Sequence, residues 1–400
     1  MAMAASTLPV LLLLLLLFSL SSAAAAASPA GRSPCFTSLF SFGDSITDTG
    51  NQLLLAPDGV LGHCCFPPYG ETYFGRQTGR CSDGRLIVDF IAEQLGLPLL
   101  TPYPGKLHSN DFPLGANFAE GGATALDFHF LAEKGIYNTH TNLSLQVEID
   151  RFKELLATIC SSPSGKKCKD YLSKSLILLG EIGGIDYNRA FFEDVAADEI
   201  IAIVPYVVAE IGKSIKQLVE LGAVTILIPG NLPIGCWPGY LTKFWSPNKE
   251  DYDPLSGCLV WYNNFAQHHN ILLQQEIARL QKLYPHTNLM YGDYYGSATR
   301  FHRHPEKFGW GALGFTGSAV VACCGGGGPY NYNESLICGN EGSKACAEPS
   351  TYVNWDDHHF TEAAYKIVAK DVLEGPFSTP RFNASCLVGR ASDDGLHSAY

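Results

Sequence analysis

Short apolar runs alternate with longer amphipathic segments, and this alternation limits the possible fold more than any other feature of the sequence. Residues 176–179 and 224–228 are apolar runs of the length expected for buried parallel strands. Residues 146–159, 200–221 and 260–284 have the apolar spacing of helices. Strands that alternate with helices form a parallel sheet with helices on both faces. The sequence therefore predicts an α/β fold, and no repeat or linker divides the chain.

The remaining segments extend this pattern. Further strands are predicted at 35–41 and 288–291, and further helices at 85–95 and 361–373. Residues 160–170 are predicted to be a polar loop, and a long loop rich in glycine and cysteine is predicted to run from 292 to 354. We expect the loops at 51–84, 231–257 and 300–354 to shape any binding pocket.

A serine follows the first predicted strand. Residues 42–51 read Phe-Gly-Asp-Ser-Ile-Thr-Asp-Thr-Gly-Asn, and the Asp and Thr residues suit the start of a helix. Ligands bind at the carboxyl ends of strands in open α/β sheets, and the amides of a helix start stabilise negative charge. Ser45 is therefore a candidate nucleophile whose own N–H faces a developing oxyanion. For this motif alone, a capped turn without function is the alternative.

An acid and a histidine lie three residues apart just ahead of the last predicted helix. Asp356 can meet one ring nitrogen of His359 while the other nitrogen points away. A serine nucleophile needs such a base, and the base needs an orienting acid. The alternative is a solvated turn that caps the helix. We rank His358 below His359 and interpret the other paired histidines as loop, surface or packing residues, namely His268, His269, His302 and His304.

Together these segments resemble the plant branch of the GDSL esterase/lipase family, within the SGNH hydrolase superfamily. The resemblance covers nearly all of the chain after residue 27 and includes the runs at 115–123, 180–184, 231–236 and 322–330. It implies a three-layer α/β/α, flavodoxin-like parallel sheet in a single domain, residues 28–400, with long surface loops. It also implies a catalytic Ser45, Asp356 and His359. The backbone N–H groups of Ser45 and Gly122 would form the oxyanion hole, with Gly121 as the nearest alternative to Gly122.

One position departs from the family pattern. The family reads Gly-Gly-Asn-Asp-Tyr where this chain has Ile185 in place of the asparagine. An isoleucine side chain donates no hydrogen bond, and loss of one oxyanion donor typically costs about a hundred- to a thousand-fold in rate. We therefore expect a slow or specialised hydrolase. Asn188, three residues later, is the candidate for a replacement donor.

The composition suggests an oxidising compartment. Residues 1–27 resemble a secretory signal peptide, with an apolar run at 8–20 that is too short to favour a membrane span. All 13 cysteines follow it, and Cys160–Cys168, Cys338–Cys346 and Cys236–Cys258 are candidate disulfides. The odd count leaves at least one thiol unpaired or intermolecular. Cys64, Cys65 and Cys81 are expected to tie the loop at 51–84. The chain has three glycosylation motifs, at Asn142, Asn333 and Asn383.

These features predict a secreted serine carboxylesterase that acts on a small or carbohydrate-linked acetyl or acyl ester, and the family resemblance implies a location in the cell wall or apoplast. There are two alternatives: an acyltransferase that uses the same serine, and a catalytically weakened protein that binds a glycan or lipid. The net charge of −12 disfavours nucleic acid as a partner. The cysteine spacing disfavours a metal site, and no cofactor is expected.

Overall fold

A mostly parallel sheet forms the centre of the structure. The computed structural model describes residues 35–55, 62–105, 112, 114–136, 143–160, 162–308 and 314–388. The strands in these ranges are β1 (Ser38–Phe42), β2 (Gly115–Asn117), β3 (Ser175–Leu179), β4 (Thr225–Pro229), β5 (Asn288–Gly292), β6 (Ser318–Ala322), β7 (Cys324–Gly325), β8 (Lys344–Ala345), β9 (Tyr352–Asn354) and β10 (Ser378–Thr379).

Helices connect these strands and cover the sheet. In the same ranges they are α1 (Asn51–Leu55), α2 (Ile87–Gln94), α3 (Phe128–Glu133), α4 (Leu145–Cys160), α5 (Lys166–Leu172), α6 (Gly184–Phe192), α7 (Ala197–Leu221), α8 (Pro238–Lys243), α9 (Val260–Leu283), α10 (Tyr294–Arg303) and α11 (Glu362–Glu374). One group of helices packs α7 against α4 and α9, and a second group packs α11 against α2 and α10.

The strand order confirms the predicted three-layer α/β/α fold. The main sheet runs β10-β5-β4-β3-β1-β2. Its first five strands in the chain are parallel and follow the flavodoxin-like order. Only β10 is antiparallel, to β5. Because β1 lies between β2 and β3, the segment after β1 emerges between the segments that follow its two neighbours.

The central strands are buried on both faces. Every residue of β1 and β3 is buried, which explains why residues 176–179 read as a continuous apolar run. Phe42 of β1 stacks on Phe118, with ring centroids 5.2 Å apart. The end of β1 is therefore rigidly placed, and so is the turn that follows it.

Several short elements differ from the sequence-based prediction. The predicted loop at 160–170 contains the start of α5, and the predicted loop at 292–354 contains α10 and four short strands. Asp293 caps α10 by accepting a hydrogen bond from the Gly296 N–H at 2.8 Å. These elements are too short or too polar to show a clear apolar period.

Six disulfides link the described residues, and two of the three predicted pairs are correct. Cys160–Cys168 and Cys236–Cys258 form as expected. The predicted Cys338–Cys346 pair is wrong, because these cysteines instead bond the adjacent Cys324 and Cys323, respectively. Strand β7 pairs with β8, and next to this pair the Cys346 N–H donates a hydrogen bond to the Cys323 carbonyl at 2.8 Å. Cys64–Cys81 and Cys35–Cys386 complete the set, and the odd cysteine is the buried Cys65.

Two predictions fall outside the described residues: the signal peptide at 1–27 and the glycosylation motif at Asn142. Within the described ranges, no helix combines the length and apolarity needed to cross a membrane.

Candidate active site

Ser45 and His359 meet at the carboxyl end of β1. The Ser45 hydroxyl lies 2.8 Å from Nε2 of His359, although 314 positions separate the two residues. Ser45 is half-buried, whereas His359 is 5% exposed. The serine hydroxyl can donate its proton to Nε2, which is the contact that a nucleophile and a general base require.

A single helical turn presents Ser45. Asp44 Oδ1 accepts the Ile46 N–H at 2.9 Å, and the Asp44 carbonyl accepts the N–H of Asp48 at 2.9 Å. Gly43 has a φ of +134°, and a Cβ on it would lie 2.8 Å from the Glu181 carbonyl oxygen. Only glycine fits there, so this residue allows the sharp exit from β1.

The expected helix start is displaced along the chain. Helix α1 begins at Asn51, where Asp48 accepts three backbone N–H groups, and not directly after Ser45. Ser45 instead occupies the first position of the turn capped by Asp44. The Ser45 N–H has no acceptor among the described residues.

Asp356 fixes the orientation of His359. Its Oδ2 and Oδ1 lie 2.8 and 2.9 Å from His359 Nδ1. Oδ1 also accepts the backbone N–H groups of His358 and His359, at 2.9 and 2.8 Å. Oδ2 accepts the hydroxyl of Tyr69 at 2.7 Å. These contacts hold a proton on Nδ1 and leave Nε2 to accept from Ser45.

The electrostatics of the pair favour an ionised acid beside a basic imidazole. Burial opposes the charge on Asp356, but His359, His63 and Tyr69 outweigh it and hold the pKa of this carboxyl well below its usual range. Burial likewise disfavours a charged His359, but Asp356 is the main group that raises the pKa of this imidazole above its ordinary value.

A second pair of acids lies behind the serine. Asp44 and Glu181 are buried and hydrogen-bonded to each other. Burial raises the pKa of Asp44 to about 6, and burial together with Asp44 raises the pKa of Glu181 well above its usual range. Burial and the neighbouring Asp44 thus both favour the protonated form of Glu181.

The other histidines lie in different environments. Nδ1 of His358 lies 2.6 Å from Asp357, and its ring packs near Phe192, with centroids 5.3 Å apart. His269 is a packing residue, as expected, and its Nδ1 lies 2.8 Å from the Tyr187 hydroxyl. The loop prediction for His302 is wrong, because His302 is buried in α10, where burial lowers its pKa to about 3.

The residues expected around an oxyanion follow β2 and β3. Gly122 adopts a φ of +85°, and the neighbouring Gly121 N–H donates to Asp48 Oδ2 at 2.9 Å. Ile185 is half-buried in the first turn of α6. Asn188 lies one turn further on, and its Oδ1 accepts the Tyr240 hydroxyl at 2.6 Å. The side-chain oxygen of Asn188 is thus engaged by Tyr240.

Sequence reasoning missed two residues of this site. Tyr69 lies in the loop that we expected near the site, but nothing in its neighbouring residues indicates contact with Asp356, 287 positions away. Glu181 follows a predicted strand, and a carboxyl directly after a buried apolar run is the signal that could have identified it.

Two groups of side chains have the number of ligand atoms that a metal ion needs. They are His63, Cys64, Asp356 and His359 in one group and Cys236, Cys258 and His302 in the other. Each group includes cysteines in disulfides, and a disulfide sulfur is not the thiolate that binds a metal. The second group then retains only His302, and the first retains His63 together with Asp356 and His359, which are hydrogen-bonded to each other.

Comparison with known proteins extends these observations. A sequence profile of the GDSL-like lipase/acylhydrolase family matches residues 39–372. The chain is 49% identical over 366 residues to a GDSL esterase/lipase of Arabidopsis thaliana, and the match covers 91% of each chain. It is also 49% identical over 359 residues to sinapine esterase of Brassica napus, with 90% of each chain covered. The protein therefore belongs to the GDSL-like lipase/acylhydrolase family and is a hydrolase of ester bonds.

Proposed function

We propose that the protein is a secreted serine carboxylesterase that acts through Ser45, His359 and Asp356. The observation that carries this proposal is the continuous hydrogen-bonded series from Ser45 Oγ through His359 to Asp356. Its members come from two distant parts of the chain and meet at the sheet edge where α/β folds bind ligands.

The mechanism is acyl transfer to water. Ser45 Oγ attacks the ester carbonyl while His359 Nε2 takes the hydroxyl proton, and the same proton then passes to the departing alcohol. Water attacks the acyl-serine by the reverse route, with His359 again as the base. Asp356 keeps the Nδ1 proton in place and stabilises the imidazolium.

The oxyanion hole has one hydrogen-bond donor fewer than the family pattern provides. We assign two donors, the backbone N–H groups of Ser45 and Gly122. Gly122 is the glycine that matches the donor of the family pattern, and the N–H of its neighbour Gly121 donates to Asp48. Ile185 supplies an apolar wall where the family pattern has an amide, so we expect slow turnover.

The substrate class is a small or carbohydrate-linked acetyl or acyl ester. Turnover of nitrophenyl esters from acetyl to long-chain acyl, and of acetylated xylan, tests this assignment. Wild-type protein should hydrolyse at least one of these esters, and Ser45→Ala should remove nearly all of that activity while the protein stays folded. Equal turnover by the alanine variant would refute the assignment of the nucleophile.

Ile185 favours a second candidate, a glycan- or lipid-binding protein with little catalysis. Saturable binding of acetylated xylan or acyl lipid, without turnover even by Ile185→Asn, would support it. An acyltransferase would instead transfer the acyl group to an added alcohol faster than to water, and product analysis separates it from an esterase.

The compartment is part of the proposal. Six disulfides are compatible with an oxidising environment, and the side chains of Asn333 and Asn383 are exposed, as a glycosylated asparagine must be. We propose removal of a signal peptide near residue 27, glycosylation at some of Asn142, Asn333 and Asn383, and a final location in the cell wall or apoplast. Intact-mass measurement before and after glycosidase and reductant tests this, and a reduced, unglycosylated cytosolic product would refute it.

A further inference from the structure

A buried tyrosine contacts the acid of the proposed triad. The Tyr69 hydroxyl donates to Oδ2 of Asp356 at 2.7 Å, and Tyr69 and Asp356 are 0% and 1% exposed. The same Oδ2 lies 2.8 Å from His359 Nδ1. One carboxylate oxygen is thus shared between the phenol and the imidazole.

Tyr69 is fixed by a small core separate from the main one. This core consists of Tyr69 and Trp355, packed edge to face with centroids 5.8 Å apart, and the surrounding buried cysteines Cys64, Cys81, Cys323, Cys324 and Cys338. The Cys64–Cys81 disulfide closes the loop that carries Tyr69, and the Gly70 N–H donates to the Ser82 carbonyl at 2.9 Å. The neighbouring Cys323–Cys346 and Cys324–Cys338 disulfides tie together the strand region that precedes Asp356.

We propose that Tyr69 is a positioning residue for the esterase, one that fixes the rotamer of Asp356 and reduces the negative charge that Asp356 presents to His359. This inference rests on the proposed function. A phenol that donates to a carboxylate disperses part of its charge. The carboxylate then stabilises the imidazolium less strongly, so His359 remains neutral, and able to act as a base, at a lower pH than it would without the phenol.

Other charged groups also act on this pair. Asp357 and Asp44 favour the imidazolium of His359, whereas His63, with Nε2 3.9 Å from Asp356 Oδ2, competes for the carboxylate. The Tyr365 hydroxyl is buried in the same region. Of these groups His63 is the one that also packs on Tyr69, with ring centroids 5.7 Å apart. Tyr69→Phe keeps that ring in place and removes only the hydroxyl, so the pH profile reports on the phenol.

The test compares Tyr69→Phe with wild type and with Tyr187→Phe. Tyr187 is a matched control because it is 1% exposed and its hydroxyl also contacts a buried imidazole, that of His269, at 2.8 Å. We measure kcat/KM on nitrophenyl acetate from about pH 5 to pH 9. Tyr69→Phe should lower the plateau about ten-fold and move the acid limb upward by about half a pH unit. Tyr187→Phe should leave the position of the acid limb unchanged.

A substitution that preserves the packing covers the possibility that Tyr69→Phe does not fold. Incorporation of 3-fluorotyrosine at position 69 makes the phenol a stronger donor and should move the acid limb downward. An acid limb that stays in place in both proteins would overturn the inference, even if stability fell. A residue with only a structural role would change stability and leave the pKa of His359 unchanged. Failure of wild type to turn over the ester would instead refute the proposed function.

Discussion

Replacement of Asp356 by asparagine changes one atom and should reverse the proton arrangement of the site. Oδ1 accepts two backbone N–H groups, so the asparagine oxygen should occupy the Oδ1 position. The amide NH2 then faces the Tyr69 hydroxyl and His359 Nδ1. The hydroxyl can rotate to accept a hydrogen bond. The asparagine oxygen lies 2.9 Å from Nδ1 but already accepts two backbone N–H groups, so Nδ1 pairs with the NH2 and accepts from it. The imidazole proton then moves to Nε2, which lies 2.8 Å from Ser45 Oγ and can no longer take the serine proton.

The expected loss is large because the site loses both the correct tautomer and the stabilised imidazolium. A reversal of this kind lowers kcat by about 10,000-fold, or about 5 kcal/mol of transition-state stabilisation. The assay is kcat on the best nitrophenyl ester at neutral pH, with thermal unfolding as a check on folding. Asp357→Asn is the matched control, since Asp357 contacts His358 in the same loop, and it should change kcat by less than about three-fold. A folded Asp356→Asn enzyme within about ten-fold of wild type would refute this reasoning.

Three further predictions concern the oxyanion hole, the base and a buried acid. Ile185→Asn should raise kcat by about ten-fold or more on a hydrolysed ester, and no gain would mean that another group already fills the hole. The acid limb of kcat/KM should lie above about pH 6.5, because the pKa of His359 is raised and the base must be neutral; a limb below that value would contradict the proposed pairing. Burial raises the pKa of Glu148 well above its usual range, so folding favours its proton and stability falls as pH rises from about 4.3 towards that pKa. Glu148→Gln should therefore stabilise the protein by about 1 kcal/mol at pH 8 and less at pH 5, as denaturant titrations would measure.

The sheet could be predicted because its strands are buried. Apolar runs such as residues 176–179 have the length of buried strands, and the amphipathic helices that flank them favour that interpretation. Strand β2 has only three residues, and β10 only two, so neither has a detectable period. The disulfide partners of Cys323 and Cys324 could not be predicted. They depend on how the chain is arranged around the two-residue pairing of β7 with β8.

In the site, contacts between residues close in the sequence could be predicted, whereas contacts between distant residues could not. Asp356 and His359 are three positions apart, and their pairing follows from local geometry. Ser45 joins them through the fold, and only the resemblance suggested this from the sequence. Tyr69 and Glu181 were missed because their contacts depend on loop placement and burial, which do not leave a periodic signal.

The most direct test of the central claim is the site of covalent modification by a fluorophosphonate probe. The account predicts one adduct per chain, on the peptide that contains Ser45, because this serine alone is hydrogen-bonded to His359 among the described residues. Labelling should be nearly lost in His359→Ala and retained in His358→Ala. An adduct on another residue, or greater loss of labelling in His358→Ala than in His359→Ala, would contradict the account.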